Sequence, residues 1–402
     1  MLRRRKTIAD NLFDPDFCQK IFIRCLRSKS DHISGDVYQK NKAKKHGDNE
    51  EEGKIRLFKS RGQHLLTNPR VLDSIVRASN IKPDDTVLEI GPGTGNLTLN
   101  LLESAKNVVA IEIDSRMVEA LRKRAAERGF ADRLTWVLYL RLGCCCMLCF
   151  VGTSQQLREV LHNLEKSDRQ LLIVNGDALR TEFPKFDLVV ANIPYGISSP
   201  LLARLFYGVK QNPFRSATLL LQKEFARRLM ATPGDPEFNK LAVNMNLVAE
   251  VEFIRDVSKR DFVPCPNVDS SVVKICPKSE IPSVDLEEWW AFTRTCFSKK
   301  NRTLGATLKQ KRKLTELMKS SRFAQDRNDD DDDDGIGILR GGIVRVLESG
   351  GFSDKRPSKL SNDDLLCLLS MFNEAGVYFH DQESKPKGIR DAAYAAACDD
   401  FM

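Results

Sequence analysis

An apolar run, Thr86-Val87-Leu88-Glu89-Ile90, leads into a loop with three glycines, Gly91-Pro92-Gly93-Thr94-Gly95, and then into a helical stretch, Leu97 to Ser104. A second apolar run, Asn107 to Ile113, starts soon afterwards. A strand that returns beside its predecessor in the same direction needs a crossover, and a helix is the usual one. Strands of that kind are buried on both faces and read as continuous apolar runs. The same sign recurs at Gln170 to Val174, Phe186 to Ala191 and Ala217 to Gln222, with helices expected at Asn68 to Ser79 and Arg116 to Arg128. The pattern predicts an α/β fold with a doubly wound, mostly parallel sheet, whose ligands bind at the carboxyl ends of the strands.

Residues 134 to 168 interrupt this rhythm. Leu134 to Leu138 and Leu171 to Val174 compete for one expected strand, with a cysteine cluster and a helix-like stretch, Gln155 to Leu164, between them. The segment reads as an insertion. From Asp285 the pattern changes to helices alone: Glu287 to Phe297, Leu304 to Lys319, Gly341 to Glu348 and Asn362 to Asn373. The expected organisation is a charged amino-terminal segment over 1–58, a main domain over 59–284, a small helical domain over 285–380 and a tail over 381–402. Asp329 to Asp334 form an acidic run read as a solvated loop.

The chain has 402 residues, a formal net charge of +8 and eleven cysteines. The charge is a modest pointer to a polyanionic partner. An odd cysteine count without a framework of paired spacings suits a reducing compartment. Cys144, Cys145, Cys146 and Cys149 lack a second Cys/His pair at zinc spacing, so no metal site is expected. No apolar run is long enough to span a bilayer. Met1 to Lys6 is basic and is followed by Ile8, Leu12 and Phe13, as in an organelle transit peptide; a nuclear basic patch is the competing reading.

The glycine loop lacks the third glycine of a dinucleotide fingerprint, since position 96 is Asn, and lacks the Lys-Ser/Thr of a phosphate loop. It suits a cofactor without phosphates whose chain lies against the backbone, as S-adenosylmethionine does. Glu112 ends the second strand and can accept ribose hydroxyls. Asp114 is the neighbouring alternative and could equally cap a helix. Asp177, after Gly176, can accept from an adenine amine or simply make a turn. Asn192-Ile193-Pro194-Tyr195 ends another strand and can clamp a planar amine, with the amide accepting hydrogens while Tyr195 covers the ring. A cofactor loop with an amine clamp points to methyl transfer onto the exocyclic nitrogen of a base. Such a base must leave its stack, and Phe262 is a candidate second wall for its pocket.

Together Gly62-Gln63-His64-Leu65-Leu66, Glu89 to Gly95, Ile111 to Asp114, Gly176-Asp177, Asn192 to Tyr195 and Phe262 to Ser270 resemble the ribosomal RNA adenine N6-dimethyltransferases. Gly351 to Arg356 is most similar to the eukaryotic branch. The resemblance implies a Rossmann-like methyltransferase domain with a small carboxyl-terminal helical domain. It implies that His64, Leu66, Gly91, Gly93, Glu112, Asp177 and Asn192 bind S-adenosyl-L-methionine, and that Asn192, Pro194, Tyr195 and Phe262 hold the target adenine. The implied reaction is dimethylation of two adjacent adenosines in the 3′-terminal hairpin of small-subunit rRNA, in a pre-ribosomal particle. Lys299, Lys300 and Arg302, in one basic turn, are expected to contact that RNA. A monomer in the mitochondrion is expected, with the nucleolus as the alternative address. A non-catalytic RNA-binding or organelle transcription factor on the same fold is the alternative function.

Overall fold

The structure, a computed structural model, describes residues 57–58, 62–138, 170–207, 212–320 and 332–380. The basic amino terminus, the cysteine cluster, the helix-like stretch Gln155 to Leu164, the first half of the aspartate run and the tail after residue 380 lie outside the described residues.

Eight strands form one sheet in the order β4-β5-β3-β2-β6-β7-β10-β8. They are β2 (Thr86–Ile90), β3 (Asn107–Glu112), β4 (Leu134–Leu138), β5 (Gln170–Asn175), β6 (Leu188–Asn192), β7 (Ser216–Gln222), β8 (Ala249–Val257) and β10 (Ser270–Pro277). The six from β4 to β7 run parallel, and β10 lies antiparallel to both β7 and β8. A short antiparallel pair, β1 (Leu65–Leu66) and β9 (Phe262–Val263), stands apart.

Side chains alternate between two buried layers, as a strand period of two requires. Val87, Val108, Ile173 and Val190 share a cluster with α1 (Pro69–Ala78), α2 (Asn96–Ser104) and α3 (Ser115–Ala125). Leu88, Val109, Leu172 and Val189 share the other with α4 (Ser198–Tyr207), α5 (Lys223–Met230) and α6 (Lys240–Val248). The helices begin where the sequence supplies caps. Asn68 caps α1 ahead of Pro69, and Asp114 caps α3 by accepting from the Arg116 N–H.

Two expectations change here. Leu134–Leu138 and Leu171 to Val174 do not compete: β4 pairs with β5, Leu134 opposite Leu171, and extends the sheet at its edge. Strand β5 keeps its place beside β3, with Glu112 opposite Asn175. The aspartate run is not wholly a loop, because Asp332 opens a helix that runs to Ser349.

The carboxyl-terminal segment is helical: α7 (Leu286–Phe297), α8 (Leu304–Leu308), α9 (Lys311–Ser320), α10 (Asp332–Ser349) and α11 (Asn362–Glu374). Its interior is continuous with the second sheet layer. Trp289, Phe292, Leu347 and Phe372 belong to the same buried cluster as Leu219 and Val273. Trp290 packs edge-on against Tyr207 of α4, ring centres 4.6 Å apart. Phe292 is fully buried and meets Phe379 at 5.0 Å. Among the described residues no helix is long and apolar enough to cross a membrane.

Replacing Phe292 by Ala should destabilise the protein by about 3–5 kcal/mol, the usual cost of emptying an aromatic core position. Because the helical segment and the sheet share one core, both should unfold in a single shifted transition. Two separate transitions by tryptophan fluorescence and far-ultraviolet circular dichroism would contradict this continuity.

Candidate active site

Four segments meet at the carboxyl ends of β2 and β6: residues 62–66, the glycine loop, Asn192 to Tyr195, and the β9–β10 loop. Pro194 lies between the first two, and the β9–β10 loop joins through His64. Gly91 has φ of 69°, and a Cβ built on it would lie 3.3 Å from Pro194 Cδ. Gly62, also at φ 69°, would place a Cβ 3.6 Å from Pro194 Cβ. A side chain at Gly91 would therefore be both strained and crowded against the clamp.

Asn192 Nδ2 donates to the His64 carbonyl over 3.2 Å. With its nitrogen engaged, the amide presents Oδ1 as its acceptor. The His64 ring nitrogen Nδ1 is 2.7 Å from the Pro264 carbonyl, and the ring stacks on Tyr195 at 6.3 Å with an interplanar angle of 23°. The Tyr195 hydroxyl is 2.7 Å from Ser270 Oγ, a fully buried group. The ring is thus held at its face and at its tip.

Glu112 is 7% exposed. Its Oε2 accepts from the Gly93 N–H at 3.1 Å and its Oε1 from the Asp114 N–H at 2.9 Å. Burial raises its pKa, and those two N–H groups oppose the rise. Each carboxylate oxygen retains a lone pair for a ligand hydroxyl. Glu112 and Asp114 differ in their surroundings. Asp114 caps α3, accepts from Gln63 Nε2 at 2.8 Å and pairs with Arg116, which holds its pKa near 2. Asp177 follows β5 beside Glu112, since the Gly176 N–H donates to the Glu112 carbonyl at 2.9 Å. It makes a turn by accepting from the Leu179 N–H, and its side chain, 36% exposed, pairs with Arg180 at 3.4 Å. Leu66 is buried, and its carbonyl takes Asn96 Nδ2 at 2.7 Å. A Cβ on Gly93, at φ 57°, would come within 2.7 Å of Leu65.

Some placements differ from the sequence reading. Phe262 is 2% exposed and shares a buried cluster with Leu66, Val257 and Val272. Pairing of β9 with β1 turns it inward and leaves Val263 facing out, so Phe262 is not an open wall opposite Tyr195. Lys300 Nζ donates to the carbonyls of Pro236 at 2.6 Å and Phe238 at 3.3 Å, whereas Lys299 and Arg302 are exposed. Sequence reasoning passed over three residues. Ile113 stands 70% exposed between Glu112 and Asp114 and offers a flat apolar surface there. Arg124 of α3 ties the glycine loop by donating to the Thr94 carbonyl at 2.6 Å and to Asn96 Oδ1 at 2.7 Å. Ser270 anchors Tyr195. An isoleucine between two acids at a strand end was the available signal for the first, and Ser270 closes the Phe262 to Ser270 motif; no local signal marked Arg124.

Glu89 lies beneath the glycine loop, 1% exposed, and its Oε2 has no hydrogen-bond partner. Burial pushes its pKa up to about 8, Thr98 opposes the rise and the nearby Glu112 adds to it. The carboxyl is therefore neutral at pH 7 while Glu112, with its two N–H donors, is the acceptor at the surface of the site. Taken together, a loop of glycines with left-handed backbone, a carboxylate at one strand end, an open Asp177 at the next and exposed Ile113 fit an adenosyl group joined to a chain without phosphates.

The chain matches the family model described as ribosomal RNA adenine dimethylase over residues 55–139 and 150–331. A mitochondrial ribosomal RNA small subunit methyltransferase of Arabidopsis thaliana is 52% identical over 347 residues, covering 81% of this chain and 81% of that protein. The dimethyladenosine transferase of Saccharomyces cerevisiae is 37% identical over 322 residues, covering 79% and 89%. A crystal structure of a dimethyladenosine transferase from Plasmodium falciparum superposes with a TM-score of 0.61 at 35% identity, covering 78% of this chain and 99% of that one.

The buried Glu89 gives a pH signature. Between pH 4.5 and about 8 the folded protein keeps a proton on Glu89 that the unfolded chain has lost. Stability should therefore fall as pH rises through that window, by up to about 1.4 kcal/mol per pH unit from this group. Glu89→Gln removes the titration, so its stability should fall less across the same range. Parallel unfolding curves for the two proteins at every pH would show that Glu89 does not titrate this way.

Proposed function

We propose, starting from the fact that this chain belongs to the ribosomal RNA adenine dimethylase family, that it dimethylates N6 of adenosines in small-subunit rRNA. The cofactor is S-adenosyl-L-methionine, and the fold is the Rossmann-like one that its family relatives share. The observation that carries the residue-level reading is the Asn192 amide, fixed through its nitrogen at the end of β6 with its oxygen as the acceptor.

S-adenosylmethionine, when bound, supplies an electrophilic methyl group. Glu112 would hold its ribose and Asp177 its adenine amine, with Ile113 against the adenine face. Gly91 and Gly93 admit its chain to the backbone, and His64 and Leu66 close the site from the β1 side. A target adenine has its N6 lone pair delocalised into the ring. Hydrogen bonds from N6 to Asn192 Oδ1 and to a main-chain carbonyl of the same loop favour a pyramidal nitrogen and localise that pair. Tyr195 stacks on the base, held there by Ser270 and His64, while Pro194 fixes the loop and Phe262 supports it from the core. No strong base is needed, because the nitrogen becomes acidic once it is alkylated. Most of the acceleration comes from placement of the two reacting atoms. The base must be extruded from its helix first.

The finer assignment is two adjacent adenosines of the 3′-terminal hairpin within a pre-ribosomal particle, which follows the resemblance in the motifs. Lys299 and Arg302 are the RNA contacts of the basic turn, and Lys300 positions it. The mitochondrion is the proposed compartment. Support comes from the basic amino-terminal residues and from the Arabidopsis relative described as mitochondrial.

Asn192→Ala should leave cofactor affinity nearly unchanged and lower turnover at least ~100-fold, as loss of a transition-state contact does. Glu112→Ala should instead weaken S-adenosylmethionine binding by about 1.5–3 kcal/mol. Calorimetry and dimethyladenosine mapping on an rRNA transcript separate the two; near-normal turnover by the Asn192 variant would refute the clamp.

A further inference from the structure

Residues 62–66 touch both halves of the site. On one side Gly62 faces Pro194, the His64 carbonyl takes Asn192 Nδ2, and the His64 ring meets the Pro264 carbonyl. On the other side the segment is fastened to α3 at two points. Gln63 Nε2 donates to Asp114 Oδ2 at 2.8 Å, where the helix begins. Near its end, Arg124 Nη1 donates to the Thr94 carbonyl at 2.6 Å and to Asn96 Oδ1 at 2.7 Å. Asn96 Nδ2 donates in turn to the Leu66 carbonyl at 2.7 Å. Both ends of the Asn96 amide are engaged, which fixes its orientation. Leu121, three residues before Arg124, lies against Gly95, where a Cβ would collide with it. Helix α3 thus grips the glycine loop at Gly95 and Thr94, and one amide passes that grip to β1.

We propose that Arg124 and Asn96 form a positioning relay that couples the cofactor loop to the base clamp. The inference rests on the reading of the protein as an rRNA adenine methyltransferase. The path is short and unbroken. It runs from Arg124 to Asn96, from Asn96 to Leu66, and two residues back along the chain to His64, whose carbonyl holds Asn192. Strand β1 is itself tied down, because Leu66 pairs with Phe262 and the Thr67 N–H donates to the Asp261 carbonyl at 2.9 Å. A shift of the glycine loop therefore reaches the carbonyl that orients the Asn192 amide instead of dissipating in a free strand. One guanidinium nitrogen, with its two hydrogens, serves both the Thr94 and the Asn96 acceptors; an ammonium on a flexible stem holds such a pair less firmly. The competing reading of the same contacts is a simple tie between α2 and α3. Asn96 separates the two. It is the first residue of α2, so Asn96→Asp suits the helix dipole and keeps an acceptor for Arg124, but it has no hydrogen to give the Leu66 carbonyl.

The test combines thermal unfolding, calorimetry with S-adenosylhomocysteine, and kcat on a transcript of the 3′ region of small-subunit rRNA. Asn96→Asp should melt as the wild type does and bind S-adenosylhomocysteine nearly as tightly. Its kcat at saturating cofactor should nevertheless fall roughly 2- to 30-fold, the range for residues along a coupling path. Arg124→Met should lower kcat and also weaken S-adenosylhomocysteine binding, each by an amount in that range, and Arg124→Lys should recover part of both. In the Asn96→Asp background, Arg124→Met should lower kcat no further, since one path is already cut. Lys123→Met, at the exposed neighbouring position of α3, should change neither quantity. If Arg124→Met fails to fold, Asn96→Asp and Arg124→Lys carry the test. A wild-type kcat in Asn96→Asp, or losses in kcat that add in the double variant, overturns the relay while rRNA methylation by the wild type stands. So does an Arg124→Met protein whose only defect is a lower melting temperature. A wild type that binds S-adenosylhomocysteine and methylates no rRNA transcript overturns the functional reading, and the relay with it.

Discussion

The geometry of the site depends on how closely Pro194 approaches two stretches of backbone. Gly62 and Gly91 both adopt left-handed φ and both face the pyrrolidine ring. Because neither carries a side chain, the segment before β1 and the turn after β2 can close on the loop after β6. That closure brings the His64 carbonyl within reach of Asn192 Nδ2. In the proposed reading it also sets the two halves of the reaction side by side, with the glycine loop at the cofactor and Asn192 at the base. A rigid ring between two glycines serves better here than a flexible contact would, because methyl transfer draws its rate from placement.

Two buried carboxyls beneath this junction behave differently, and their surroundings explain why. Glu112 accepts two backbone N–H groups, so its ionised form is partly compensated and it can fasten the glycine loop to β3. Glu89 sits two residues along the same sheet layer as Val87, where Oε2 has no donor. An isolated charge there would be costly, and the group stays protonated instead. Keeping Glu89 neutral also spares the loop a second negative charge beside Glu112, whose field contributes to the upward shift.

The central strands were legible because burial on both faces leaves little room for polar positions. Residues 87–90, 108–111 and 188–191 therefore read as apolar runs, interrupted only by the buried Glu89, that end in chemistry. The antiparallel strands were harder. Strand β8 exposes Glu250, Glu252, Phe253, Arg255 and Asp256, and a register shift opposite Val272 and Val273 breaks its alternation, so its periodicity says little about where it docks. The β4 and β5 stretches looked like rivals because a linear reading allows one strand per crossover, whereas the sheet has an open edge. Side-chain direction was the least legible property. Phe262 and Val263 are adjacent, and only the pairing of β9 with β1 decides which of them faces the core. Likewise Lys300 is chemically indistinguishable from Lys299 until the carbonyls of Pro236 and Phe238 are seen to hold it.

The shared core gives these details a joint meaning. Trp289, Trp290 and Phe292 pack α7 into the same cluster that lines the sheet under β7 and β10. The basic turn with Lys299 and Arg302 lies just beyond α7, and Asn192 ends the strand next to β7. The proposed RNA contacts and the proposed base clamp are therefore connected through close-packed interior rather than through a linker. Interiors of that density resist small displacements. An RNA helix gripped at a fixed distance from the clamp presents particular nucleotides to it, so the choice of adenosine can be made by the spacing between grip and pocket. The pocket then needs to recognise only an exocyclic amine, which is the role proposed for Asn192 and the neighbouring main chain.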